Sequence, residues 1–160
     1  MGMGLKLHGL LSEELVVTAL EARDREGILR EMAAVLKAKG RVAKDKELAE
    51  KLAQRERLGS TAIGRGIAIP HCKVSWVKDP LVLLAVSPKG APFDAADGKP
   101  AHLFFLVVTP PQDPTLNLQI LAAVARLAGR SRGLLKRILA AETASEILEI
   151  VREEEEKIAA

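Results

Sequence analysis

Two segments, LVLLAVS at Leu81–Ser87 and HLFFLVVT at His102–Thr109, are almost unbroken in apolarity. A strand with one wet face alternates apolar and polar side chains, so runs like these require strands covered on both faces, and the covering layers must be helices. The chain supplies helical patterns on either side of them. Asp24 caps a helix whose apolar positions Ile28, Leu29, Met32, Val35 and Leu36 keep helical spacing until Gly40 stops it. A second helix starts after Asp45, buries Leu48 and Leu52, and ends near Gly59, which puts Arg55 on its last turn. Helical patterns at Thr115–Ala128, Arg132–Ala140 and Ala144–Lys157 follow the apolar runs, the last opened by a capping box of Thr143 and Glu146. With short strands at Val16–Leu20 and Ile67–Ile69, the order is β-α-α-β-β-β-α-α-α. The expected fold is α/β, a three-layer α/β/α sandwich on a mixed sheet.

At 160 residues, with no internal repeat or low-complexity linker, the chain is expected to form one domain over 1–160. Cys72 is its one cysteine, so no disulfide can form within it and a reducing compartment fits best. Met1–Leu20 has no continuous apolar stretch of the leader type, and the two apolar runs are too short to span a bilayer. A cytoplasmic protein without direct membrane insertion is expected. The formal charge is +3, with the basic patch Lys37–Lys46 opposed by the acidic Arg152–Lys157. A nucleic-acid partner is not expected, because three Phe, one Trp and no Tyr give little stacking surface and no dense basic stripe is present.

Chemistry concentrates between Arg55 and His71, RERLGSTAIGRGIAIPH. An imidazole that accepts a phosphoryl group needs a cation and hydroxyls to hold the incoming oxygens, and this segment offers Arg55, Ser60 and Thr61. Gly64 and Gly66 would let backbone N–H groups approach those oxygens without an intervening Cβ. Pro70 holds Ile69 extended and helps aim His71. Arg55 also has a plainer reading, as a cation interacting with the helix C-terminus. Two phosphate-binding motifs compete for the same stretch and fail. GSTAIGRG has P-loop spacing but carries Arg65 where lysine belongs and Gly66 where the magnesium-binding hydroxyl belongs. GRGIAI cannot lead into the helix of a dinucleotide fingerprint because Pro70 forbids one. His8 and His102 read as structural, Cys72 as a small packed side chain, and no zinc-ligand spacing appears, so neither metal nor cofactor is expected.

The segment GSTAIGRGIAIPH resembles the enzyme IIA domains of the fructose and mannitol type in the bacterial phosphoenolpyruvate-dependent phosphotransferase system, together with their nitrogen-regulatory relatives. Arg55, Glu56, Gly59, Ser60, Thr61, Gly64, Gly66, Ile67, Ala68, Ile69, Pro70 and His71 match the family pattern. The resemblance continues through LLSEELV, FDAADGKPAHLFFLV and LQILAAVARL. It implies a phosphocarrier in which His71 accepts a phosphoryl group from phospho-HPr and passes it to a IIB component, with Arg55 as the clamp. In the nitrogen branch it implies instead a regulatory protein whose phosphorylation state controls binding to its targets. Many relatives carry a second active-site histidine where this chain has Asn117, an amide that can donate to a phosphoryl oxygen but cannot titrate.

Overall fold

The computed structural model describes residues 4–159; the expectations for Met1–Leu20 and for the domain 1–160 lie outside the described residues where they fall on Met1–Met3 and Ala160. After two single turns of 3-10 helix at Leu7–Gly9 and Glu13–Leu15 come strand β1 (Val16–Val17), helices α1 (Arg25–Ala38) and α2 (Asp45–Arg57), and four strands β2 (Ala62–Gly64), β3 (Ile67–Ala68), β4 (His71–Lys73) and β5 (Leu81–Ala91). Strand β6 (Ala101–Thr109) and helices α3 (Pro114–Arg130), α4 (Leu134–Ala140) and α5 (Ala144–Ala159) complete the order.

The two apolar runs form the centre of the sheet. β5 and β6 pair antiparallel, with Leu83 opposite Leu106 and Ala85 opposite Phe104. β1 joins β5 in parallel, while β3 and β4 both lie parallel to β6 at different heights along it. β2 folds back antiparallel on β3, giving the order β1-β5-β6-β3-β2 with β4 beside β6. The sheet is therefore mixed, as expected.

Side chains along β5 and β6 alternate between two cores. Leu83, Ala85, Phe104 and Leu106 pack with Ile28, Leu29, Met32 and Leu36 of α1 and Leu48 and Leu52 of α2. Val82, Leu84, Phe105 and Val107 pack with Ile120, Val124 and Leu127 of α3 and Ile147 and Val151 of α5. Burying each large apolar side chain stabilises the fold by about 1.5–3 kcal/mol, and both faces of the central strands collect that gain. This is why no polar alternation was needed there.

The helix boundaries follow local chemistry. The Asp24 carboxylate accepts from Gly27 N–H at 2.8 Å, and Gly40 stops α1 with a φ of 72°. The Thr143 hydroxyl accepts from Glu146 N–H at 3.1 Å at the start of α5. The structure adds two short strands to the expected order, β2 and β4. Two- and three-residue strands carry no periodicity of their own; they exist because β3 and β6 offer them a ladder.

Candidate functional site

His71 opens β4, where its register partner on β6 is Val107. Parallel register partners share a face of the sheet, so His71 and Lys73 lie on the side covered by α3, and Cys72 points to the side of α1 and α2. The crossing from β3 into β4 is short. Ile69 N–H donates to Thr61 O at 3.0 Å, and Val107 N–H donates to Pro70 O at 2.9 Å, so the Pro70 step is tied on both sides.

The imidazole is half-buried, and its Nδ1 lies 2.7 Å from the Ile69 carbonyl oxygen. A carbonyl oxygen only accepts, so Nδ1 carries the proton and Nε2 keeps its lone pair. Burial pushes the His71 pKa below its ordinary value of 6.5; the Ile69 hydrogen bond opposes this, the Arg55 and Lys73 charges add to it, and Glu56 opposes it. Desolvation is thus the leading cause of neutrality, ahead of the Arg55 guanidinium. The result is a neutral ring of fixed tautomer with one nucleophilic nitrogen.

Arg55 sits on the last turn of α2, half-buried, with Nη1 donating to Gly59 O at 2.8 Å. That bond stations the guanidinium, whose other N–H groups have no protein acceptor among the described residues. Glu56, beside it, is 3% exposed and accepts from Thr61 N–H at 3.1 Å and from the Thr61 hydroxyl. The Ser60 hydroxyl donates to Phe93 O at 2.5 Å and accepts from Ala62 N–H at 3.0 Å. Both hydroxyl protons are therefore engaged inside the protein. Ser60 and Thr61 hold the loop after α2 in place and do not present free donors to a phosphoryl group.

Gly64 and Gly66 require a larger correction. They form the β2–β3 turn, with φ of 85° and 82°, and Gly66 O accepts from His102 N–H and Leu103 N–H. The next residue, Ile67, pairs with Leu103, whereas His71 pairs with Val107, four residues along the same strand and about 13 Å away. The glycines therefore serve a tight turn at the opposite end of the sheet and cannot cradle phosphate at His71. Their positive φ values, and a Cβ that at Gly66 would lie 2.8 Å from Leu135 Cδ2, account for glycine at both positions.

Asn117 is 6% exposed on the first turn of α3, which Asp113 caps by accepting from Leu116 N–H at 3.1 Å. Its Oδ1 accepts from the Thr109 hydroxyl at 3.0 Å, leaving its N–H2 group without a protein acceptor among the described residues. Thr109 stands two residues beyond Val107 on the same face, about 7 Å from the level of His71. Asn117 is thereby tied to the strand end whose neighbour β4 carries His71. His102 donates Nδ1–H to Ser87 O at 3.0 Å and lies at the far end of β6, and His8 pairs with Glu155 at 2.8 Å, so neither is part of the site.

Sequence reasoning missed Glu56, Thr109 and Lys73. Period-two alternation from His71 would have placed Lys73 on its face, but nothing local announced that a buried glutamate pins Thr61. Burial also pushes the Cys72 thiol up to about 12, so it stays protonated and inert beside the histidine. Among the described residues no cluster of three or more potential ligands could hold a metal ion, and no helix is long and apolar enough to cross a membrane.

Residues 9–154 match the family described as "Phosphoenolpyruvate-dependent sugar phosphotransferase system, EIIA 2". The chain is 31% identical to the "PTS system fructose-specific EIIABC component" of Bacillus subtilis (strain 168), covering 93% of this chain but only 23% of that longer protein. It is 32% identical to a "Nitrogen regulatory protein" of Bradyrhizobium diazoefficiens, over 92% of this chain and 95% of the relative. The fold superposes on the crystal structure of the nitrogen regulatory protein IIA-Ntr from Neisseria meningitidis with a TM-score of 0.83 and 26% identity, covering 91% of this chain and 98% of that one.

Proposed function

Because the chain belongs to the phosphotransferase-system EIIA 2 family, we propose that it is a phosphocarrier whose His71 takes a phosphoryl group from phospho-HPr and hands it to a IIB component. One observation carries this reading: Nδ1–H is committed to Ile69 O at 2.7 Å, which leaves Nε2 as the free nucleophile of a ring kept neutral by burial. In the first step the Nε2–P bond forms as the N–P bond of the donor phosphohistidine breaks, and the electron pair of that bond stays on the donor ring. The His71 ring then bears positive charge, which the Ile69 carbonyl stabilises through Nδ1–H. Phosphoryl transfer spreads negative charge over three equatorial oxygens, and the protein's task is mainly positioning and charge stabilisation. The free N–H groups of Arg55, the Lys73 ammonium and the Asn117 amide are the donors available for those oxygens. Transfer onward reverses the same step, with a IIB side chain as the nucleophile.

The purified chain, mixed with phosphoenolpyruvate, enzyme I and HPr, should gain one acid-labile phosphate on His71, and His71→Ala should gain none. Equal labelling of that variant would remove the proposal. Acceptance should persist below pH 6.5 and fall only as pH drops through the lowered His71 pKa.

The near full-length match to proteins named as nitrogen regulators supports a second reading, in which the phosphate on His71 decides which protein the chain holds. A pulldown comparing phosphorylated and unphosphorylated protein tests it; recovery of the same partner in both states would exclude a switch.

A further inference from the structure

At the end of the sheet away from His71, the β2–β3 turn and the corner between α3 and α4 wall a groove of about 570 Å³. Ile67, Ala128 and Leu135 form its apolar part, and Arg65, Arg132 and Lys136 carry its charge. All three cations are exposed, and none has a carboxylate within ion-pair distance among the described residues. Their neighbour Arg137, by contrast, is held by Glu153 at 2.6 Å and Glu154 at 2.8 Å.

The nearby acidic groups are already committed. Glu154 accepts from Ser131, Arg137 and Lys157, and Asp97 accepts from the backbone N–H groups of Arg65 and Lys99. The α3 C-terminus attracts cations, and Arg65 Nη1 donates to Gly129 O there at 3.3 Å. A helix end is equivalent to only about half a charge, which three cations exceed several-fold. Arg65 also holds a φ of 58°, a left-handed conformation that costs a side-chain-bearing residue about 1–2 kcal/mol and that glycine would adopt freely. An arginine at such a position, among like charges and lining a cavity, is placed to meet an anionic ligand.

We propose that this groove binds a nucleoside di- or triphosphate. Arginine forks chelate phosphate oxygens in pairs, and lysine adds a point charge. The apolar part of the groove takes the base and ribose, and the volume lies within the span of about 300–1,000 Å³ typical of small-molecule sites. The site is separate from His71 and does not depend on the phosphocarrier reading.

Isothermal titration of the full chain with ATP and with GTP, at low salt and without magnesium, tests it, with tripolyphosphate and adenosine as comparison probes. At least one nucleotide should bind saturably with Kd below about 1 mM and weaken as salt rises. Tripolyphosphate should bind several-fold more weakly, and adenosine not measurably. Arg65→Gly, which relieves the backbone conformation and so should not lower Tm, should weaken the nucleotide about tenfold, as should Lys136→Gln. His71→Ala should bind it as the wild type does. No saturable binding by the wild type, or unchanged affinity in both groove variants, would overturn the proposal. Tripolyphosphate binding as tightly as the nucleotides would refute the role given to the apolar surface.

Discussion

Replacing Glu56 by glutamine should weaken the protein and move the titration of His71 at once. The carboxylate is 3% exposed and receives two hydrogen bonds from Thr61, one from the backbone and one from the hydroxyl. Bonds to a charged acceptor contribute about 1.5–3 kcal/mol each, against about 0.5–1.5 for neutral pairs. Glutamine is isosteric, can accept the Thr61 N–H and can donate to the Thr61 hydroxyl, so both bonds survive in neutral form at a loss of about 2 kcal/mol. For a chain of this length that lowers Tm by about 4–8 °C. Glu56→Ala leaves both Thr61 donors unpaired and should cost more, about 3–5 kcal/mol. Glu56 also holds the His71 pKa up against burial and two cations. Removing its charge should lower that pKa further, so the acid limb of phosphoryl acceptance moves to lower pH. Thermal melts, together with an NMR titration of the His71 ring, measure both effects. A Tm within a degree of wild type, or a His71 midpoint that rises, would show that Glu56 neither pins the loop nor acts on the ring as argued.

Gly66→Ala should lower Tm by several degrees through its positive φ and its approach to Leu135, yet leave the phosphorylation rate of the folded protein unchanged; a large drop in rate would return the glycines to the phosphate site. Cys72, with its thiol at about 12, should resist iodoacetamide at neutral pH in the native state, read by intact mass, and rapid labelling would contradict its burial. Glu154, held near 2 by Ser131, Arg137 and Lys157, contributes stability that is fully present above the unfolded carboxylate value of 4.5 and is lost as pH falls from there through about 2. Glu154→Gln should therefore flatten the acid side of the stability curve over that window, and an unaltered curve would count against this assignment.

Much of the architecture was legible because its signals are local. Asp24, Gly40 and the Thr143–Glu146 pair mark helix ends through bonds made within four residues. The strands were harder in proportion to their shortness: β5 and β6 announce themselves by apolarity, whereas β2 and β4 are strands only because of what lies beside them. The same limit governs the site. His71 and Arg55 could be picked out as candidates from residue type and spacing, since an imidazole after proline and a guanidinium on a helix end carry their chemistry with them, whereas Asn117 was picked out only through the family resemblance. The use of Ser60, Thr61, Gly64 and Gly66 could not, because a hydroxyl or a glycine takes its meaning from its neighbours.

The chain by itself thus determined the layers and singled out His71 as the candidate phosphoacceptor. Continuous apolar runs can be satisfied only by burial on both faces, and a nucleophile is a property of a side chain. Tertiary structure alone decided which end of the sheet each loop occupies. A shift of four residues in strand register moves a group about 13 Å, and register is set by contacts between segments far apart in the chain. That shift parts the glycine turn from the imidazole and turns Arg65 towards a different groove.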